Sequence, residues 1–152
     1  SSVDGTGQME VAGFIKGRRA KNVTFPKSIA WNGIKYNVTS VGTRAFEANK
    51  KIKTVIIPDS VEKICHKAFC RCANMKKLTV GKNVSFFGAH AFCNNKKITK
   101  IVFKGKKLKT LKDPHVFICV NHAKVYVPKS KYKVYKKLLS TYGLGKCKFV
   151  KK

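Results

Sequence analysis

Apolar residues recur along this chain with a long period, not with the 2 or 3.6 of an isolated strand or helix. Ala45-Phe46, Ala68-Phe69 and Ala91-Phe92 are spaced 23 residues apart. Val38, Val61 and Val84 keep the same interval, as do Val41, Ile64 and Phe87. So do Ile52, Met75 and Ile98, then Val55, Leu78 and Ile101, then Ile57, Val80 and Phe103. A fourth, irregular unit runs through Leu108, Leu111, Val116-Phe117 and Val125 to Val127, and its Phe follows Phe92 by 25 residues. Self-similarity at such a period is the signature of stacked coils, each too small to bury its own apolar side.

Each repeated position has a physical task. Val55-Ile56-Ile57, Leu78-Thr79-Val80, Ile101-Val102-Phe103 and Val125-Tyr126-Val127 are short, rich in β-branched residues and bounded by Pro or Gly. They predict short strands that stack into a parallel ladder. The Ala-Phe pairs fall on the return half of each coil. Ala is small where backbones approach, and each Phe is expected to stack on the Phe of the next coil, contributing roughly 1.5–3 kcal/mol by burial. Asn49, Cys72 and Asn95 share one register, where a side chain can satisfy backbone groups left unpaired by the turn.

The ends depart from the repeat. Asn22 to Phe25 and Gln8 to Ile15 are candidate strands, and Ser28 to Trp31 with Ile34 to Val38 flank Asn32-Gly33, a strong hairpin signal. At the far end Tyr132, Tyr135, Leu138, Leu139 and Tyr142 recur at helical spacing, predicting a helix over Lys131 to Tyr142 with Ser130 as N-cap and Gly143 as its stop. Phe149-Val150 predicts a last strand. The expected organisation is a polar linker over 1–8 and one domain over 9–152. Within it an N-terminal cap spans 9–37, repeats span 38–60, 61–83 and 84–106, an irregular unit spans 107–130 and a C-terminal cap spans 131–152. Capped at both ends, the chain is expected to be a complete folding unit.

The pattern Val-x-x-Ile-Cys-x-x-Ala-Phe-x-x-Cys-x-x-Met-x-x-Leu-x-Val from Val61 to Val80 resembles the BspA-type leucine-rich repeat, as does the link Ile56-Ile57-Pro58-Asp59-Ser60-Val61. The resemblance covers about Val23 to Lys152. It implies a leucine-rich-repeat solenoid, mainly short parallel strands with 3-10 or short helical returns, an N-terminal hairpin cap and a C-terminal helix cap. It also implies an extracellular or cell-surface location and an adhesion-type role, with a host or cell-surface protein or glycan as partner. No cofactor is expected.

Charge adds a second reading. The chain carries 34 Lys plus Arg against 6 Asp plus Glu, a net charge of +28, which attracts anions and repels cations. Its hydrophobic fraction of 43% is too high for a disordered basic tail. No stretch approaches 18 consecutive apolar residues, so no membrane span is expected. Lysines cluster just before the strands, at Lys50, Lys51, Lys53, Lys76, Lys77, Lys96, Lys97 and Lys100, with Lys106, Lys107 and Lys109 further on. Lys53 is expected beside Lys76, and Lys77 beside Lys100. Like charges ~5 Å apart repel by roughly 0.8 kcal/mol even in water. Such rows either form a solvated surface or bind a polyanion, a glycosaminoglycan, an anionic wall polymer or a nucleic acid. Being Lys and not Arg, they would bind with little selectivity.

Six cysteines leave several readings open. Cys70 and Cys93 share a register in adjacent coils, close enough for a disulfide, but parallel stacking does not guarantee the Cβ orientation one needs, and free thiols are the favoured reading. A metal site built from Cys70, Cys93 and a neighbouring His is a third reading, although no familiar zinc spacing occurs and no metal is expected. Cys119 and Cys147 read as structural or free. For catalysis, the acids Asp4, Glu10, Glu47, Asp59, Glu62 and Asp113 are scattered. His66, His90, His115 and His122 could each approach a Cys, but the pattern predicts no enzyme. The core phenylalanines leave no exposed aromatic series for single-stranded nucleic acid.

Overall fold

A computed structural model describes residues 2–3, 8–11, 20–109 and 113–152. Leu111, residues 12–15 of the first expected strand, and Arg18 and Arg19 lie outside the described residues.

Two sheets face each other across one continuous apolar interior. The first holds β3 (Asn22–Thr24), β6 (Thr54–Ile56), β8 (Lys77–Val80), β10 (Lys100–Phe103), β11 (Lys124–Val127) and β12 (Lys148–Lys151), all parallel and adjacent in that order. Their register carries the repeat directly: Val55 pairs with Leu78, Leu78 with Ile101, and Ile101 with Val125. These residues alternate with outward neighbours because successive side chains of a strand point to opposite faces.

The second sheet consists of β1 (Ser2–Val3), β2 (Gln8–Val11), β5 (Ile34–Val41), β7 (Lys63–Ile64) and β9 (Phe86–Phe87), with β4 (Ser28–Trp31) antiparallel to β5. Its coil strands are only two residues long, short enough to escape pattern reading. Within the segment expected to be a polar linker, Ser2 pairs with Glu10 and Val3 with Met9. The β4–β5 turn places Asn32 at φ 49° and Gly33 at φ 75°, the paired left-handed conformation that a two-residue hairpin requires.

The returns between the sheets are runs of turns with alternating hydrogen bonds. Arg44, Phe46 and Ala48 donate their N–H groups to His66, Ala68 and Cys70 of the next coil, at 2.8–2.9 Å. Ala45, Glu47 and Asn49 donate within their own coil, to Gly42, Arg44 and Phe46. This alternation needs left-handed residues between ordinary ones. Arg44, Ala48, Lys67, Arg71, His90, Asn94 and Cys119 all have φ between 53° and 69°. Each costs about 1–2 kcal/mol for a residue with a Cβ. The coil-to-coil hydrogen bonds offset that strain.

Inside, the phenylalanine rings form a column. Phe46, Phe69, Phe92 and Phe117 stack at 5.1, 5.2 and 5.4 Å with nearly parallel planes, and Phe25 meets Phe46 edge-on at 5.6 Å. Cys72 donates its thiol to Phe46 O at 3.2 Å, and Asn95 donates to Phe69 O at 2.9 Å, so the two act alike one coil apart. Burial pushes the Cys72 thiol up to about 12 despite the backbone hydrogen bond at Asn49. Burial also raises Cys65 and Cys147.

The C-terminal helix α1 spans Tyr132–Leu139, shorter at both ends than expected. Ser130 is not its N-cap. It lies in a 3-10 turn over Lys129–Lys131, and Lys131, next to the helix, makes no side-chain capping bond. The chain enters the helix through that tighter turn, closed by Lys131 N–H to Pro128 O at 2.9 Å, so no side-chain acceptor is placed over the first turn. Beyond Leu139 the backbone widens, and Gly143 at φ 105° ends the run. A Cβ there would come within 2.7 Å of Phe117 C, so only glycine lets this segment close over the last coil. Phe117 N–H donates to Tyr142 O at 3.0 Å, and Tyr135 lies edge-on to Phe103 at 6.3 Å.

Replacing Phe92 by Ala removes the middle of the column. The expected loss is about 3–5 kcal/mol in urea unfolding, with Phe92→Leu losing less. For the thiols, denatured but unreduced protein should alkylate four cysteines, as scored by intact mass, leaving Cys70 and Cys93 joined. Modification of all six would show that the pair is reduced. In the native state Cys72 should stay unmodified at pH 8, since the thiolate is the nucleophile.

Candidate functional site

The all-parallel sheet is open to solvent on its outer face, and strand alternation decides what stands there. In β8, β10 and β11 the first residue is exposed, the second and fourth are buried and the third is half-buried. The exposed leading residue is Lys every time. Lys77 pairs with Lys100, Lys100 with Lys124, and Lys124 with Lys148. Four lysines thus form one straight row spanning about 14 Å at the strand spacing of a parallel sheet.

Of the residues expected to form basic rows, Lys77 and Lys100 lie at the centre of this one. Lys53 and Lys76 lie one position earlier on adjacent coils, tied by Lys76 N–H to Lys53 O at 2.8 Å. Lys50, Lys51, Lys96 and Lys97 are exposed on the turn leading into the sheet. There Asn74 stands between them: Lys97 Nζ donates to Asn74 Oδ1 at 2.9 Å, and Asn74 donates to Lys50 O at 2.8 Å. Lys124 and Lys148 were missed by the sequence reading. The signal was present, for each directly precedes the buried residue of its strand, as Lys77 precedes Leu78.

Beside the lysine row runs a less polar one. Ile56 is exposed, and Thr79, Val102, Tyr126 and Val150 are half-buried. Lys100 places its ammonium 5.1 Å from the Tyr126 ring centre, an attractive cation–π geometry. The carboxylates are occupied elsewhere. Glu47 accepts from Arg44 and Arg71 at 3.0 Å each. Asp59 accepts from Lys82 N–H at 2.9 Å and lies 3.4 Å from Lys104 Nζ; the backbone bond holds its carboxyl below the usual range against the opposing effect of burial. Among the described residues, no ion pair reaches the row itself. Its charge is left to solvent and to whatever anion approaches.

Cys70 and Cys93 are bonded to each other, with Cα atoms 4.7 Å apart. Their sulfurs are therefore not available as the thiolates of a metal site with a neighbouring His. Three of the four histidines gather with one another. His90 and His115 stack at 5.4 Å, with Asp113 beside both, and His66 meets His90 edge-on at 6.3 Å. Burial raises the Asp113 carboxyl, but the His115 backbone and ring hydrogen bonds and the two imidazoles outweigh it, and the net direction is down. No helix among the described residues is long and apolar enough to cross a membrane.

The fold and its repeat have known counterparts. A leucine-rich repeat protein from Bacteroides capillosus superposes with a TM-score of 0.61 at 22% identity, over 73% of this chain and 90% of that one. A leucine rich cell surface protein from Faecalibacterium prausnitzii superposes with a TM-score of 0.67 at 20% identity, over 84% of this chain. The present chain spans about a third of that protein's length, 34%. At these identities the likeness shows the fold alone. No curated protein matches the chain. The BspA type leucine rich repeat region, however, matches residues 14–144 in six copies. With a repeat of 23 residues, stacked parallel strands and a match over most of its length, the chain belongs to the BspA-type leucine-rich-repeat family.

Proposed function

We propose that this chain is a non-enzymatic binding module that works at a cell surface and engages an extended anionic glycan along the outer face of its all-parallel sheet. The observation that carries the reading is the unbroken row Lys77–Lys100–Lys124–Lys148, flanked by Lys53 and Lys76 and unpaired with carboxylates among the described residues. A linear polyanion laid along the stack meets one ammonium per coil, relieves the repulsion between neighbours and releases counterions. The surface setting is supported by the family and by a structural relative described as a cell surface protein. An adhesion role follows where the glycan belongs to a host matrix.

A glycan is favoured over single-stranded nucleic acid by the aromatic pattern. Base stacking needs exposed rings between the cations, whereas Tyr126 is half-buried and already faces Lys100. A second protein as ligand has less support, for the row lacks the large, well-packed apolar centre typical of protein interfaces.

Heparin chromatography against a salt gradient tests the proposal. The wild-type chain should elute at high salt. Lys100→Glu with Lys124→Glu should lower the eluting salt well beyond Lys133→Glu with Lys136→Glu, a pair on the exposed face of α1 with the same charge change. Equal losses for the two pairs would reduce the effect to net charge and remove the site. Tighter retention on single-stranded DNA than on heparin would replace the glycan by nucleic acid.

A further inference from the structure

Away from the lysine face, the returns of two adjacent coils bring together three groups that no repeat position requires. His90 occupies the register of Arg44 and Lys67, and His115 follows it one coil later. Asp113 reaches both. His115 Nδ1 lies 2.8 Å from Asp113 Oδ1, and His90 Nδ1 lies 3.4 Å from Asp113 Oδ2. One donor atom from each residue falls within 4.8 Å of the others. We propose that His90, Asp113 and His115 form a binding site for a divalent transition-metal ion of the zinc, nickel and copper type.

Donor chemistry sets the class of metal. Two imidazole nitrogens with one carboxylate oxygen suit borderline ions, whereas calcium and magnesium call for oxygen-rich shells. Metal–ligand distances of about 2.0–2.2 Å allow donors to stand roughly 3–4 Å apart, so small side-chain rotations close the shell from the present geometry. Water would complete the coordination, because the three groups are half-buried to exposed. The carboxylate is held in place. The His115 backbone N–H donates to Asp113 Oδ1 at 2.7 Å, and Pro114 between the two fixes the backbone of that turn. The disulfide removes Cys70 and Cys93 from competition, and His66, with its ring 6.3 Å from that of His90, is the nearest further imidazole.

The sequence reading expected no metal and considered only Cys70 and Cys93 with a neighbouring His, not His90, Asp113 and His115, which stand 23 and 2 residues apart. Asp113 and His115 meet within one turn, and coil stacking brings His90 to them. The site also lies in an unusual field, for a chain of net charge +28 repels cations. This gives the proposal a distinctive signature. Added salt screens that repulsion, so metal affinity should rise with ionic strength. Glycan binding by the same chain should fall with it.

The test is a calorimetric titration of chelator-stripped protein with zinc, free thiols alkylated and the disulfide intact. One zinc per chain is expected, with affinity higher at about 0.5 M than at about 0.05 M of a non-coordinating salt. His115→Ala and Asp113→Asn should each weaken binding at least about tenfold, and His122→Ala should leave it unchanged. Imidazole nitrogen resonances give a readout that does not depend on variants: zinc must shift those of His90 and His115 and leave His122 in place. Should the His90 and His115 resonances stay still, should His115→Ala bind as wild type, or should alkylation alone abolish the heats, the site is overturned. None of these outcomes bears on the lysine face, which the heparin experiment addresses separately.

Discussion

The backbone of each coil is the hydrogen-bonding partner of the next, and that single requirement organises the molecule. Arg44, Phe46 and Ala48 have no other acceptors for their N–H groups than the carbonyls of His66, Ala68 and Cys70. A buried N–H without a partner would cost about 1–3 kcal/mol. A coil therefore cannot change its path without stranding donors in its neighbour. Side chains then repeat because the backbone repeats. The phenylalanine column, the Cys70–Cys93 pair and the lysine row are three readings of one translation along the stack.

The irregular coil shows how far this requirement bends. Phe117 follows Phe92 by 25 residues, yet Lys124 follows Lys100 by only 24. Extra length enters before the phenylalanine, and one residue is given back between it and the strand. Both the ring column and the sheet ladder stay in step, at 5.4 Å for the rings and in unbroken register for the strands. By sequence the surplus falls between Phe103 and Val116, and Asp113, within that stretch, lies next to His90 and His115.

Most of the architecture was legible in the sequence because the repeat encodes it redundantly. Val55, Leu78 and Ile101 share a register that no single position needs to establish alone. What escaped was local. The two-residue strands Lys63–Ile64 and Phe86–Phe87 are too short for any periodicity. The start of α1 depended on a turn over Lys129–Lys131 that Ser130's residue type does not disclose. In the site, Lys77 and Lys100 were readable from the regular interval. Lys124 and Lys148 fell past the point where the interval shifts, and only strand pairing restored them to the row. The histidine cluster had only a weak signal: His115 follows His90 by the same 25 residues that separate Phe92 and Phe117, but nothing in the sequence marks Asp113 as their partner.

Charge placement follows from the same geometry. A strand that buries its second and fourth residues offers its first and third to solvent, so cations added to this repeat have few places to stand. On a rounded surface a net charge of +28 would spread into a diffuse field. On this stack the part of it at the leading strand position, Lys77, Lys100, Lys124 and Lys148, is drawn into a line, with neighbours near 4.8 Å and the repulsion repeated at every step. Only a fold that is held coil to coil by its backbone and its ring column can carry such a line without opening. Under the proposed function, such a line favours a ligand with the same one-dimensional form. A compact anion neutralises one or two lysines and leaves the rest repelling, whereas an extended one relieves the whole row. In that proposal the stack, and not the point charges on flexible lysine stems, is what would discriminate by ligand shape.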